Sequence, residues 1–578
     1  MKTIASYIKV YKGSAIIALL LMVVELIVEL LQPLIMGIII DRGVLKQDLS
    51  AVAGWGGLLL GLSLLAFTAG ITNSFFAANV SQGVAHNVRK DMFQRIQYFF
   101  PTQLQTYSLS TLLTRMTSDV TQLQSLLFMA MRIMLRAPLF ILFGLVMAFV
   151  VEPDLALILL LVVPLLLGCM IIVMTKGVKR FRSVQVKLDQ VNHVIRENLF
   201  NMRLVKAYDR GDFEQQQFQE ANGPLRKANT KALRLMETTM PMIMFGMNVS
   251  LIVILWFGSY QLNGGGTQPG EVVSVLNYGM RIMFSFGVFS FLIMLFSRGR
   301  ASISRIESIL KEQKGEQGQK QTAAYQAGDV TFHNVSFSYP TRTSYPALKN
   351  ISFTVRQGEM LGILGETGAG KTTLAQLIPR LYGPTSGQIT FAETNSDELD
   401  VTEIRDKVGV VPQEAHLFSG TVRENLLWGN PEGTEEDLRQ STMDAGIYEF
   451  IKALPKGFDT KIGQKGVNFS GGQKQRICIA RALMKKPDVL ILDDSTSALD
   501  AKTESEILRK LSRLPYTVFI IAQKISSVKE ADQLLLLHEG EVQGIGTHNE
   551  LLTNNPFYQT LYESQQQKGA GNYVENSY

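Results

Sequence analysis

The sequence predicts a chain of two fold classes: a membrane α-helical domain of six transmembrane helices with long cytoplasmic extensions, fused to an α/β domain of the P-loop kind. Three observations predict this. The chain has 578 residues, too many for one ordinary domain. Hydrophobic residues make up 46% and charged residues 18%. Nearly every long apolar run falls in residues 1–300, whereas 329–565 carries the short mixed patterns of a water-soluble α/β domain. Within that second part, a glycine-rich loop follows a short apolar strand and precedes a helical run.

The N-terminus is basic and then apolar as far as about Ile40, with no small-residue cleavage pattern. It therefore reads as a short amphipathic segment leading into a first membrane helix. A helix needs about 20 apolar residues to cross the hydrocarbon core, and six segments meet that length: 14–40, 52–78, 133–151, 155–175, 240–262 and 271–296. The gaps 79–132 and 176–239 are long and basic, with Arg89, Lys90, Arg95, Lys176, Lys179, Arg180 and Arg182. The positive-inside rule places both gaps and both chain ends in the cytoplasm. Both gaps are amphipathic and poor in Gly and Pro, so they read as helices running on from the membrane.

The net charge of +6 comes largely from these loops. No basic stripe interleaved with aromatics occurs in the second part, so nucleic acid is not an expected partner and membrane lipid is. Cys169 and Cys478 lie in different parts and predict no disulfide.

Two polar features lie inside the apolar runs. Glu25 and Glu29 are four apart and share one helix face. Either they face a wet cavity that accepts cationic or polar substrates, or they lie near an interface or pair with Arg136 or Arg281. The methionines at 236, 240, 242, 244, 247, 280 and 283 either line an adaptable cavity or serve as packing and lipid-facing residues. Domain 1–310 ends at a polar linker, 311–328, rich in Gln, Gly and Lys. Strand-like runs then open domain 329–565, and the polar tail 566–578 is expected without structure.

The loop Gly365, Glu366, Thr367, Gly368, Ala369, Gly370, Lys371, Thr372 fits G-x-x-x-x-G-K-[ST] without exception, with Thr373 opening the helix after it. Its glycines let backbone N–H groups wrap phosphates at a helix N-terminus. Lys371 would reach the β- and γ-phosphates and Thr372 would bind Mg²⁺. A second apolar strand ends in Asp493, where P-loop proteins hold the magnesium shell. The second part is thus an α/β P-loop nucleotide-binding domain.

The run Phe469, Ser470, Gly471, Gly472, Gln473 resembles the signature of ATP-binding-cassette proteins, and the resemblance covers essentially the whole chain. It implies that Tyr339 stacks on adenine, that Gln413 touches Mg²⁺, and that Ser470, Gly471, Gly472 and Gln473 close over the ATP of a facing cassette. It further implies that Ser497 to Asp500 crosses to that partner. Segments 112–120 and 203–218 resemble the tips of the family's two intracellular loops, which carry coupling helices. A membrane domain followed by one cassette resembles the exporter branch. That implies a dimer with a second half-transporter in a plasma membrane, bacterial in style, moving a small-molecule substrate such as hydrophobic or cationic drugs or lipids.

Two positions depart from the family pattern. Asp494 stands where the family has the general-base Glu, and Gln523 stands where it has the switch His. A side chain one methylene shorter falls short by roughly 1 Å, a misplacement worth about 10²-fold in rate. Gln cannot become a cation. Gln464 and Phe469 are smaller departures, for Glu and Leu. The resemblance therefore implies a heterodimer in which this chain's own site binds ATP and hydrolyses it poorly, while its signature completes an active site on the partner. A slow homodimer and a regulatory, non-pumping protein are the alternatives.

Overall fold

The computed structural model describes residues 2–312, 323–339 and 345–575. The chain forms two compact units, one of 1–96 with 109–312 and one of 97–108 with 313–578.

The first unit is helical: α1 (Lys2–Val10), α2 (Lys12–Ile38), α3 (Leu49–Gln97), α5 (Leu109–Thr114), α6 (Val120–Met129), α7 (Arg136–Val151), α8 (Pro153–Phe200), α9 (Met202–Ala207), α10 (Gly211–Glu237), α11 (Thr239–Asn263) and α12 (Pro269–Lys311); α4 (Pro101–Thr106) belongs to the second unit. Helical turns of π type at Arg115–Asp119 and Ala130–Met134 join α5, α6 and α7 into one rod. Among the described residues, five such rods are long and apolar enough to cross a membrane. The sixth expected span, 271–296, lies in α12, whose side chains at 289–291, 293, 294 and 297 are outside the described residues.

Helices α3 and α8 run for 49 and 48 residues. At 1.5 Å per residue each is about 70 Å long, more than twice the ~30 Å hydrocarbon core. Their second halves must therefore extend beyond any bilayer, as the long basic gaps predict. The turn between α7 and α8 is minimal. Glu152 is extended (φ −149°, ψ 99°) and Pro153 starts the next helix, where its missing N–H costs nothing.

The first of the two long loops turns earlier than the resemblance implies. Pro101 forces Phe100 into an extended conformation (φ −62°, ψ 151°) and starts α4, so the reversal lies at 97–108. Segment 112–120 sits instead on the returning rod. There Asp119, which is buried, accepts from Arg305 at 2.5 and 2.8 Å and from Ser302 at 2.9 Å, fixing α12 to that rod. Burial raises the Asp119 carboxyl, but these bonds outweigh it and hold the group below its ordinary range. The second tip is α9, inside the expected 203–218 apart from Met202.

Glu25 and Glu29 are paired. Arg136 on α7 bonds Glu25 and, through Nε and Nη2 at 3.1 and 2.6 Å, Glu29. Arg281 on α12 lies 3.7 Å from the Glu29 carboxylate. A lone carboxylate in a membrane costs a few kcal/mol, and this cross-helix cluster removes most of that cost. The methionines divide: Met247 is fully buried, whereas Met240, Met244 and Met280 are exposed in the single chain.

The second unit holds two main sheets. Strands β1 (Val330–Phe337), β2 (Leu348–Val355), β4 (Ser386–Phe391) and β5 (Thr394–Asn395) form an antiparallel sheet in the order β2-β1-β4-β5. Strands β3 (Met360–Leu364), β6 (Val408–Val411), β9 (Val489–Asp493), β10 (Thr517–Ile521), β11 (Gln533–His538) and β12 (Glu541–Gly546) form a sheet in the order β12-β11-β3-β10-β9-β6, parallel except for β12. A two-residue pair, β7 (Gly420–Thr421) and β8 (Lys461–Ile462), stands apart. The helices are α13 (Lys371–Leu377), α14 (Val401–Lys407), α15 (Val422–Leu427), α16 (Glu435–Asp444), α17 (Tyr448–Ala453), α18 (Gly471–Leu483), α19 (Ala501–Leu511), α20 (His548–Asn554) and α21 (Pro556–Glu575).

Strand periodicity splits the central sheet cleanly. Leu364, Leu490, Leu492 and Ile520 enter one core, while Ile363, Val489, Ile491 and Ile521 enter the other. Both faces are covered, so β3, β9 and β10 are buried throughout. The polar tail expected without structure from 566 is helical to Glu575. Tyr558 is fully buried, with Leu561 and Tyr562 against the same core, so the first turns of α21 are anchored. Within the expected linker 311–328, residues 313–322 lie outside the described residues.

Candidate nucleotide site

Parallel pairing gathers residues far apart in sequence at one sheet edge. Ile521 at the end of β10 pairs with Ile363 on one side and Asp493 on the other, and Val411 pairs with Leu492. The segments that follow β3, β6, β9 and β10 therefore emerge side by side, carrying the glycine loop, Gln413, Asp494 and Gln523. A pocket of about 460 Å³ opens there, lined by Tyr339, Thr367, Gly368, Gly370, Lys371, Thr372, Thr373, Gln413, Asp493, Asp494 and Gln523.

The loop needs its glycines. Gly368 and Gly370 have φ of +91° and +101°, and a Cβ on Gly370 would stand 2.6 Å from the Ala347 carbonyl oxygen. Gly365 and Ala369 support the loop from behind. Gly365 and Glu366 present carbonyl oxygens to the Lys371 ammonium at 2.7 and 2.8 Å, and Ala369 is buried. These bonds hold Lys371 across the loop. Burial lowers its pKa, against the raising influence of Asp494, Asp493 and Glu366.

The Thr372 hydroxyl donates to Asp493 Oδ1 at 3.1 Å. This hard-oxygen pair fits a magnesium ion, with the Gln413 amide on the same pocket wall. Burial pushes the Asp493 carboxyl up, and the neighbouring Asp494 adds to this against Thr372 and Lys371.

The two positions that depart from the family pattern are bonded to each other. Asp494 Oδ2 accepts from Gln523 Nε2 at 3.1 Å and from Gln413 Nε2 at 3.1 Å. Its backbone is left-handed (φ +46°), which Asp tolerates better than most residues. Burial raises its pKa, opposed by Gln413, Lys371 and Gln523. One carboxylate oxygen is thus occupied by two amides, and neither amide can take up a proton.

Tyr339 lines the pocket with its hydroxyl 3.0 Å from Thr373 Oγ1 and its ring edge-on to Phe337 and Tyr382. Sequence reasoning missed Tyr345, which lines the same pocket and is 82% exposed. A lone aromatic in a polar loop carries no pattern that singles it out.

Ser470, Gly471, Gly472 and Gln473 do not line this pocket. Ser470 caps α18, its N–H donating to Gln473 Oε1 at 2.9 Å while its Oγ accepts from Gln473 N at 3.4 Å. Ser470 and Gly471 are exposed. A Cβ on Gly472 would stand 3.2 Å from the Ala498 carbonyl oxygen, so α18 lies close against the segment 497–500. The chain therefore presents a phosphate loop and an exposed, serine-capped helix N-terminus at separate places.

The family model described as "ABC transporter transmembrane region" matches residues 15–294, and the one described as "ABC transporter" matches 348–497. An uncharacterized ABC transporter ATP-binding protein of Bacillus subtilis, YfiB, is 46% identical over 98% of each chain. A probable multidrug resistance ABC transporter ATP-binding/permease protein of the same organism, YheI, is 38% identical over 67% of each. A solved bacterial Atm1-family ABC exporter with ATP bound shares the fold at a TM-score of 0.80, with 22% identity, over 96% of this chain and 99% of that one.

Proposed function

The chain belongs to the ABC transporter family, with an exporter-type membrane domain and an ATP-binding domain, and on that premise we propose that it is one subunit of a heterodimeric exporter in a bacterial plasma membrane, with both termini cytoplasmic. Its own phosphate-loop site binds ATP and hydrolyses it poorly, while its signature completes the partner's active site. The observation that carries this reading is the Asp494 carboxylate held by Gln413 and Gln523. A general base must accept a proton from the attacking water and stand within hydrogen-bond reach of it. Asp494 is roughly 1 Å short for that task, and its Oδ2 is taken by two donors.

The other parts are fit for binding. Lys371 and the glycine loop would cradle the phosphates, Tyr339 would flank the base, and Thr372 and Asp493 would hold magnesium. When bound, that ion supplies charge neutralisation at the β- and γ-phosphates. The exposed Ser470 at the start of α18, with the N–H groups of Gly471 and Gly472 after it, would offer a partner's γ-phosphate a helix N-terminus. The second loop tip also suits a second chain, since Phe200, Leu204 and Tyr208 are 85%, 57% and 72% exposed. The transported compound is an amphiphilic small molecule or lipid, in keeping with the multidrug-type relative.

Binding without turnover tests the proposal. The purified full chain, given ATP and Mg²⁺, is expected to retain ATP at equilibrium and release it unhydrolysed, with turnover at least about 100-fold below the ~10 s⁻¹ typical of enzymes. Turnover near that typical rate by the chain alone would overturn the reading.

A further inference from the structure

The charge cluster between α2, α7 and α12 borders a cavity of about 400 Å³ lined by Glu29, Arg136 and Arg281 with Ile133, Phe140 and Phe284 among its apolar walls. Among the described residues no other charged side chain lines it. Its polar groups are not equivalent. Arg136 gives three N–H bonds to the two carboxylates, so Glu25 and Glu29 are both engaged in charge-assisted bonds. The bonds of Arg281 go instead to neutral acceptors: the Glu29 backbone carbonyl at 3.3 Å and Gln32 Oε1 at 2.8 Å. Its distance to the Glu29 carboxylate, 3.7 Å, is beyond hydrogen-bond range. A guanidinium carries five N–H donors, and about a third of the Arg281 side chain remains exposed.

That asymmetry sets which ligand charge the cavity accepts. A cation would have to draw Glu25 or Glu29 away from Arg136, breaking charge-assisted bonds. An acidic group can dock on Arg281 without breaking any, sharing the guanidinium with the Glu29 carboxylate, which touches it only at ion-pair distance. Phe284 and Val288, which are both exposed, offer apolar surface to whatever carries the acid. We infer that this cavity is a binding site for an amphiphile with an acidic headgroup, a carboxylate or phosphate, held by Arg281 with its apolar body on Phe284 and Val288. The inference rests on the exporter reading above and narrows its substrate class, and it sets aside the alternative in which Glu25 and Glu29 accept cationic substrates. The headgroup could belong to a soluble acid or to an anionic membrane lipid.

The test uses the purified full chain in detergent without nucleotide, with the fluorescent fatty acid cis-parinaric acid and its methyl ester as probes. A charge-assisted hydrogen bond lost to the ester predicts about tenfold weaker binding of the ester. Arg281→Gln is expected to weaken the acid about tenfold, leave the ester within about twofold, and bring the two together, while Arg281→Lys recovers part of the preference. Unchanged ester binding shows that the variant is folded. Displacement of the acid by phosphatidylglycerol but not phosphatidylcholine would support a lipid as occupant, and no displacement by either would support a soluble acid. Equal binding of acid and ester by the unaltered chain, or an acid preference that survives Arg281→Gln, would overturn the site. Because no ATP is present, a chain that discriminates the acid yet fails to pump with any partner would sink the exporter reading alone.

Discussion

Replacing Ser470 by arginine in this chain is expected to reduce ATP turnover of the proposed heterodimer by about 100-fold or more, whereas Asp494→Asn in the same complex is expected to change it by less than about twofold. The asymmetry follows from where the two residues stand. Ser470 is exposed at the N-terminus of α18 and outside the chain's own pocket, so its hydroxyl, which caps Gln473 N–H, and the N–H groups of Gly471 and Gly472 face outward toward phosphate on a facing chain. Arginine there removes the cap and fills the approach. Preorganised donors aimed at transition-state charge are typically worth 10²–10³ in rate. Asp494 already has its Oδ2 occupied by Gln413 and Gln523, so a site proposed to contribute little turnover is expected to lose little. ATP affinity of the variant and its association with the partner should persist, which separates a lost contact from an unfolded domain.

The double substitution Asp494→Glu with Gln523→His is expected to raise hydrolysis at this chain's own site by about 10–100-fold, read in the heterodimer after the partner's site has been disabled. Glutamate restores the missing methylene and carries the carboxylate roughly 1 Å further toward the attacking water. Histidine supplies a group that can become a cation, which Gln523 cannot. Because both side chains bond one another across Asp494 Oδ2, the single substitutions should fall short of the pair and their effects should not add. A pair that stays inert would place the cause of poor turnover elsewhere than in these two residues.

Much of this architecture is legible in the sequence because it rests on local pattern. The loop from Gly365 to Thr372 announces itself by spacing and context, and β3 and β9 by unbroken apolar runs. The sheet edge that gathers them follows once parallel pairing is assumed. The turn at 97–108 was not legible from the motif in 112–120, which Asp119 and Arg305 use to tie two helices together. The signal lay in Phe100 and Pro101, whose steric conflict ends a long helix. Glu25 and Glu29 illustrate a different limit. Periodicity shows that they share a face, but only the fold brings Arg136 and Arg281 to that face. The bond from Gln523 to Asp494 was equally out of reach: each departure was visible singly, while their contact depends on β9 and β10 ending in register. The helical end of α21 escaped notice because composition cannot show that Tyr558 is anchored in the core.

The most direct test of the central claim is to ask on which chain hydrolysed nucleotide becomes trapped. Purified heterodimer is incubated with a photoreactive ATP analogue, magnesium and vanadate, irradiated, and the two subunits are separated. Trapped label is expected on the partner subunit, on the phosphate loop completed by Ser470, and little on this chain beyond what binds without vanadate. Equal vanadate-dependent labelling of both subunits, or labelling concentrated around Lys371 of this chain, would contradict that claim.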